Sequence, residues 1–76
     1  MRTIKEIAKE IKADWKNPYF GAIPYIEAML EIERIGDNYL YDSAHSIVLY
    51  FLANAGSWRG DTARRIKLEL KTKLNA

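Results

Sequence analysis

Ile4, Ile7, Ala8, Ile11 and Trp15 recur at intervals of three and four residues, which places them on one face of an α-helix. Thr3 and Glu6 stand at the spacing of a capping box, in which a hydroxyl and a carboxylate satisfy backbone donors left free at a helix start. The pattern predicts a first helix running to about Lys16. Asn17-Pro18 should end it, because a residue preceding proline avoids the α region.

After the loop "NPYFGAIP", Pro24 suits the first turn of a second helix, where its missing N–H costs nothing. Tyr25, Ile26, Met29, Leu30 and Ile32 form the apolar side of this helix, Glu27, Glu31 and Arg34 its wet side, and Gly36 its expected left-handed stop. Glu33 falls inside the apolar arc, at a frayed end or against a buried cation. Tyr39, Leu40 and Tyr41 could form a short extended piece. A third helix, "SAHSIVLYFLANA", is capped by Asp42 or Ser43 and ends at Gly56. It carries no charge and is apolar nearly all round its second half, so it is expected to be enclosed by the other helices. A fourth begins between Ser57 and Asp61, runs to about Leu74, and shows the stripe Ala63, Ile66, Leu70, Leu74.

These elements predict an all-α fold, a compact single domain over residues 1–76 built as a bundle-like set of about four short helices. Composition sharpens this. The chain is 76 residues long and has no cysteine, so neither a disulfide nor a thiolate metal site supports its small core. Nine aromatic residues supply large buried area instead: Tyr39, Tyr41, Tyr50, Phe51, Trp15 and Trp58 compete for the interior with the loop aromatics. The uncharged run from Ser43 to Trp58 falls short of the roughly 20 apolar residues a bilayer span needs. No membrane association and a cytoplasmic location are therefore expected.

Chemistry-bearing residues are sparse. Glu27 and Glu31 share a helix face but have no partner of another type. His45 is the single histidine, without the further ligands a metal site requires, and is expected to be a partly buried, hydrogen-bonded imidazole. Neither GxxxxGK[ST] nor GxGxxG occurs. Ser43 is more economically a cap than a nucleophile. The reading is a non-enzymatic protein with no cofactor, no catalytic residue and no metal ligand.

The formal charge of +2 conceals a separation: residues 1–17 sum to +2, residues 18–57 to −4, and residues 58–76 to +4. At about 100° per residue, Lys5, Lys9, Lys12 and Lys16 form one stripe on the first helix, while Glu6, Glu10 and Asp14 take the opposite flank. Arg64, Lys67 and Lys71 form a similar flank on the fourth helix. If the two helices pack as antiparallel neighbours with these flanks on one side, seven cations share a surface that could follow a phosphate backbone. A helix-turn-helix reading of Ser43 to Leu70 is weaker, since it puts Arg65 where an apolar anchor belongs.

In "GSWRGDTARRIKLELK" the triplet Arg59-Gly60-Asp61 reads as a turn glycine followed by an acid at a helix start, not as an adhesion signal. Trp58 is either the lid of the core, which is the favoured reading, or an anchor exposed beside Arg59. The loop "PYFG" presents the same choice for Tyr19 and Phe20. A protein-binding surface combining Trp58, Arg59, Arg64, Leu68, Tyr19 and Phe20 is the leading expectation. Nucleic-acid binding through Lys5, Lys9, Lys12, Lys16, Arg64, Lys67 and Lys71 is the alternative, and a second copy covering the aromatics is a third.

The stretches "DWKNPYFGAIPY", "DSAHSIVLYFLANAGSWRG" and "TARRIKLEL" resemble a family of short, uncharacterised proteins of Gram-positive phages and integrative mobile elements. The resemblance implies a setting, an accessory protein that binds a host or element protein or DNA. It carries no activity and no site residue.

Overall fold

The computed structural model describes residues 2–39 and 42–75. Thr3 caps α1 (Ile4–Asp14): the Glu6 N–H donates to Thr3 Oγ1 at 3.0 Å, and the Thr3 N–H donates to Glu6 Oε1 at 2.8 Å. The helix stops at Trp15, slightly before Lys16, and Pro18 follows in the loop. A turn of 3₁₀ helix, Phe20–Ala22, leads into α2 (Ile23–Met29), with Pro24 in its first turn. Ser43 caps α3 (Ala44–Ala53), its hydroxyl accepting the Ser46 N–H at 3.1 Å. The last helix, α4, spans Asp61–Leu74.

Helix α2 is shorter than its apolar pattern predicts. The chain leaves α-helical geometry at Leu30, and the Glu31 and Ile32 N–H groups bond three residues back instead of four. This detour lets Ile32 reach the core and points the Glu33 carbonyl at Ile4, whose N–H donates to it at 2.9 Å. That N–H belongs to the first turn of α1, where no intrahelical acceptor exists. The Glu33 side chain is exposed, which settles its apparent conflict with the apolar arc. Gly36 and Gly56 therefore do not supply left-handed helix stops; among the described glycines only Gly60 has positive φ.

Between α2 and α3, β1 (Asn38–Tyr39) pairs antiparallel with β2 (Asp42–Ser43). This matches the short extended piece expected near Tyr39; Leu40 and Tyr41 lie outside the described residues.

α1 packs against α2 and α4, and α3 packs against α2 and α4, so the helices close a ring in chain order. The core draws on every helix: Ile4, Ile7 and Ile11 from α1, Ile26 and Met29 from α2, Ile47, Val48 and Phe51 from α3, Ile66 and Leu70 from α4. Leu74, the last residue of the expected α4 stripe, only flanks the core, whereas Lys73 lies beside the stripe and is buried.

Three large rings join the helix ends. Trp15 stacks on Trp58 with centroids 5.7 Å apart and planes 11° from parallel. Phe51 meets both edge-on, at 6.3 and 6.2 Å. The Trp58 indole N–H donates to Asp14 Oδ2 at 2.8 Å, so the one polar atom of this buried ring has its partner. Trp58 is thus the lid; only 2% of it is exposed.

Replacing Trp58 with alanine should cost about 3–5 kcal/mol, comparable to the whole stability of a domain this small. Urea unfolding followed by circular dichroism would read this as a loss of the folded baseline. Gly60 has φ +111°, so Gly60→Ala should cost about 1–3 kcal/mol, whereas Gly56→Ala should change stability little.

Candidate functional site

The sequence-derived candidates fall into four separate places: the lysine stripe of α1, the loop aromatics, the groove above Trp58, and Leu68. α4 runs antiparallel to α1 along the flank of Glu10 and Asp14, because Arg2 meets Glu69, Glu10 meets Arg65, and Asp14 reaches Trp58 just ahead of α4. The lysine stripe of α1 therefore faces the other way, toward α2, where Lys12 pairs with Glu27 at 3.4 Å. On α4, Arg65 and Glu69 turn toward α1 and leave Arg64, Lys67 and Lys71 on the far flank. The expectation of one seven-cation surface is thereby overturned. Antiparallel packing holds, but the ring closes in the sense that separates the two basic flanks. Electrostatics favours this sense, since the alternative brings the lysine stripe against α4's own cations.

The α1–α4 seam carries a chain of charges. The Arg2 guanidinium donates to both Glu69 oxygens, at 2.6 and 3.1 Å, and to Glu10 Oε1 at 2.6 Å; Arg65 donates to Glu10 Oε2. Hydrogen bonds from Arg65 and Arg2 hold the Glu10 carboxyl below the usual carboxylate range, and Arg2 does the same to Glu69. Bonds from the Thr3 backbone and then its hydroxyl lower Glu6 likewise. Arg2, Glu10 and Glu69 are about one-third exposed along the seam and Arg65 about half, so each pair contributes no more than about 1 kcal/mol.

The second place is an aromatic strip. Tyr19 and Phe20 lie on the surface, Phe20 being 77% exposed, with their rings 4.8 Å apart. Gly21 sits between the Tyr19 ring and Asn54; a Cβ there would fall 2.6 Å from Tyr19 Cε2 and 2.9 Å from Asn54 Oδ1. Asn54 in turn donates to the Tyr50 carbonyl at 2.8 Å, and the Tyr50 ring lies 5.6 Å from Tyr25. Beyond Tyr50 the outward side of α3 continues with Leu49, Ala53 and His45, all exposed and none carrying a formal charge. Two expectations are corrected here: α3 is covered on one side only, and His45 is exposed.

The third place is a groove of about 340 Å³ between the 56–60 loop and α4, lined by Trp58, Arg59, Gly60, Ala63, Arg64 and Lys67. Trp58 supplies its floor and is too buried to serve as an exposed anchor. The Lys67 ammonium donates to the Trp58 carbonyl at 2.6 Å and lies 5.9 Å from the ring centroid. Burial lowers the pKa of Lys67, and the like charges of Arg59 and Lys71 add to the effect.

Leu68 belongs to neither region. It is 67% exposed at the outer pole of α4, beside a shallow groove lined with Arg2, Arg65, Glu69 and Thr72. The expected surface of Trp58, Arg59, Arg64, Leu68, Tyr19 and Phe20 is thus divided: Arg59 and Arg64 share a groove above Trp58, Tyr19 and Phe20 join α3's outer side, and Leu68 stands apart.

Sequence reasoning missed Leu49 and Tyr50 as surface residues, whereas Tyr25 is partly buried against the core, in keeping with its place in the α2 pattern. The signal was present in the absence of charge from α3, but it was assigned to complete enclosure. Among the described residues no group of His, Asp and Glu is arranged to hold a metal ion, and no helix is long and apolar enough to cross a membrane. No protein-family model, curated protein or solved structure matches the chain.

Depressed carboxylate pKa values make acid the weak side of this fold. Such groups add stability above the ordinary value of about 4.3, and that contribution is lost as pH falls through their lower folded values. The thermal midpoint should therefore hold from neutral pH to near that value and then drop. A Glu10→Gln, Glu69→Gln double variant should be less stable at neutral pH and show a shallower acid decline in a pH series of melts.

Proposed function

We propose that this protein is a non-enzymatic helical interaction module that docks a protein partner on the strip formed by Tyr19, Phe20, Tyr25, Leu49 and Tyr50. The observation that carries the reading is the outward side of α3. Its exposed residues His45, Leu49, Tyr50 and Ala53 have no formal charge, although charged residues make up 29% of the chain. A solvated helix face ordinarily carries lysine and glutamate, whereas tyrosine, phenylalanine and leucine are the composition of an interface core. The strip continues onto the 3₁₀ turn through Asn54 and Tyr19, so it extends beyond a single side chain.

The partner surface should be apolar and largely free of charge, because burying an unpaired charge against this strip is costly. The setting suggested by the stretches quoted from Asp14–Tyr25, Asp42–Gly60 and Thr62–Leu70, an accessory protein of a phage or mobile element in a bacterial cytoplasm, belongs to the same proposal. Nucleic-acid binding is the second reading. It is now restricted to the α4 flank of Arg64, Lys67 and Lys71, which Arg59 adjoins at the groove above Trp58.

A photo-reactive amino acid placed at Phe20 or Leu49 should yield one common adduct in bacterial cells, with none from Lys5 or Leu68. Equal adducts from all four positions, or none from the strip, would overturn the assignment. An adduct of twice the chain mass would identify the partner as a second copy. Tyr50→Asp should abolish the adduct from Leu49 while leaving the folded circular-dichroism spectrum in place.

A further inference from the structure

In two further grooves among the described residues, most of the charge is answered by opposite charge within the molecule. Arg2 and Arg65 answer Glu69 and Glu10 beside Leu68, and in the groove beside Thr62 the Glu10 carboxylate is paired with both arginines while Asp14 accepts the neutral Trp58 indole N–H. The groove above Trp58 differs. Arg59, Arg64 and Lys67 line it together with Gly60 and Ala63, and no carboxylate is among its lining residues. Arg64 meets Asp61 at 3.2 Å, where both side chains are largely solvated, so the contact is screened and weak. Arg59 and Lys67 have no carboxylate partner among the described residues.

We propose that this groove is a binding site for a phosphate group, with Lys67 as its fixed centre and Arg59 and Arg64 as its two arms. Lys67 is held rather than free. One of its three donors is spent on the Trp58 carbonyl, and Trp58 itself is clamped by Trp15, Phe51 and Asp14. The remaining donors of the ammonium stay available to a ligand. Two guanidinium groups supply planar, paired donors that match the oxygens of a phosphate. Opposite Gly60, the space where a side chain would stand is empty, so the backbone leaves room for an anion of this size.

The charge count selects phosphate over carboxylate. Three cations around one groove are balanced better by a group carrying about −1.5 to −2 than by a single negative charge. Relief of mutual repulsion adds to affinity, because Arg59 and Lys71 already disfavour the charged form of Lys67 and an anion reverses that effect. This proposal shares no residue with the docking strip and does not depend on it. A free phosphate or phosphomonoester offers this charge, and the phosphodiester backbone of a nucleic acid offers the same oxygens with one negative charge on each of successive phosphates.

The test is an NMR titration of the isotope-labelled protein in a phosphate-free buffer at low salt, in separate arms, with inorganic phosphate and with a short oligothymidine. Binding at the groove predicts saturable shifts of the Arg59, Gly60, Arg64 and Lys67 signals, and a rise of the Lys67 side-chain pKa toward its ordinary value. Arg59→Gln and Lys67→Gln should each weaken binding about tenfold, the loss expected for one charge-assisted hydrogen bond. Lys5→Gln should not. Arg59 is exposed in the loop, so its variant tests the site even if the Lys67 variant loosens Trp58. Saturation by phosphate alone assigns a free or terminal phosphate, and saturation by the oligonucleotide with steep salt dependence assigns a nucleic-acid backbone. No saturable shift from either ligand, or shifts spread evenly over Lys5, Lys9, Lys12 and Lys16, would overturn the proposal.

Discussion

Trp15 closes the end of α1 and Trp58 stands just before α4, so their stacked rings hold two distant parts of the chain at one fixed distance and angle. Phe51 of α3 packs its ring edge-on against both, which brings a third helix to the same point. The Asp14 carboxylate gives the joint a direction. By accepting the indole N–H it draws the start of α4 to the acidic flank of α1, and the Glu10 contacts with Arg2 and Arg65 extend that choice along the seam. The sense of the helical ring, and with it the division of positive charge into two fields, follows from a hydrogen bond and a few ion pairs acting on a scaffold held by aromatic burial.

The same ring leaves α3 with one side covered and one side bare. A helix that lacks charge on its whole circumference is usually enclosed, but four short helices supply too little surface to surround one of their number. Ala44, Ile47, Val48 and Phe51 take the covered side, while Leu49 and Tyr50 remain outside. Exposed aromatics on a domain of marginal stability carry a solubility cost, and a partner that covers them removes it. The groove above Trp58 is the complementary case. Charge there is gathered with only the solvent-exposed contact of Arg64 with Asp61 to offset it, beside a backbone carbonyl tied to Lys67.

The parts of the fold legible in the sequence were those set by local rules: the Thr3–Glu6 box, the Ser43 cap, the apolar spacing of α1 and α4, and the turn at Gly60. Long-range demands decided the remainder. α2 ends early because Ile32 is wanted in the core and the Glu33 carbonyl is wanted by Ile4, neither of which local periodicity encodes. Helical projections placed Lys5, Lys9 and Lys12 on α1 and Arg64, Lys67 and Lys71 on α4, whereas Lys16 lies past the end of α1. Whether the two flanks meet depends on the direction in which the ring closes, and that is fixed by contacts between residues 44 or more positions apart, such as Asp14 with Trp58 and Arg2 with Glu69. Composition likewise announced that α3 was unusual without saying which side would be bare.

The contact between Arg2 and Glu69 spans nearly the full described chain, and it bears on the timing of folding as much as on stability. α1 is made early but must wait for α4 before Ile4, Ile7 and Ile11 are enclosed, since Ile66 and Leu70 form part of their cover. Pairings at such sequence separation incur loop-closure entropy before they return any energy, which slows the final step of assembly. A nascent chain on the ribosome therefore carries an amphipathic α1 with an open apolar face until α4 leaves the exit tunnel. Over that interval the charge of Lys5, Lys9 and Lys12 beside that face opposes its association with other exposed apolar segments.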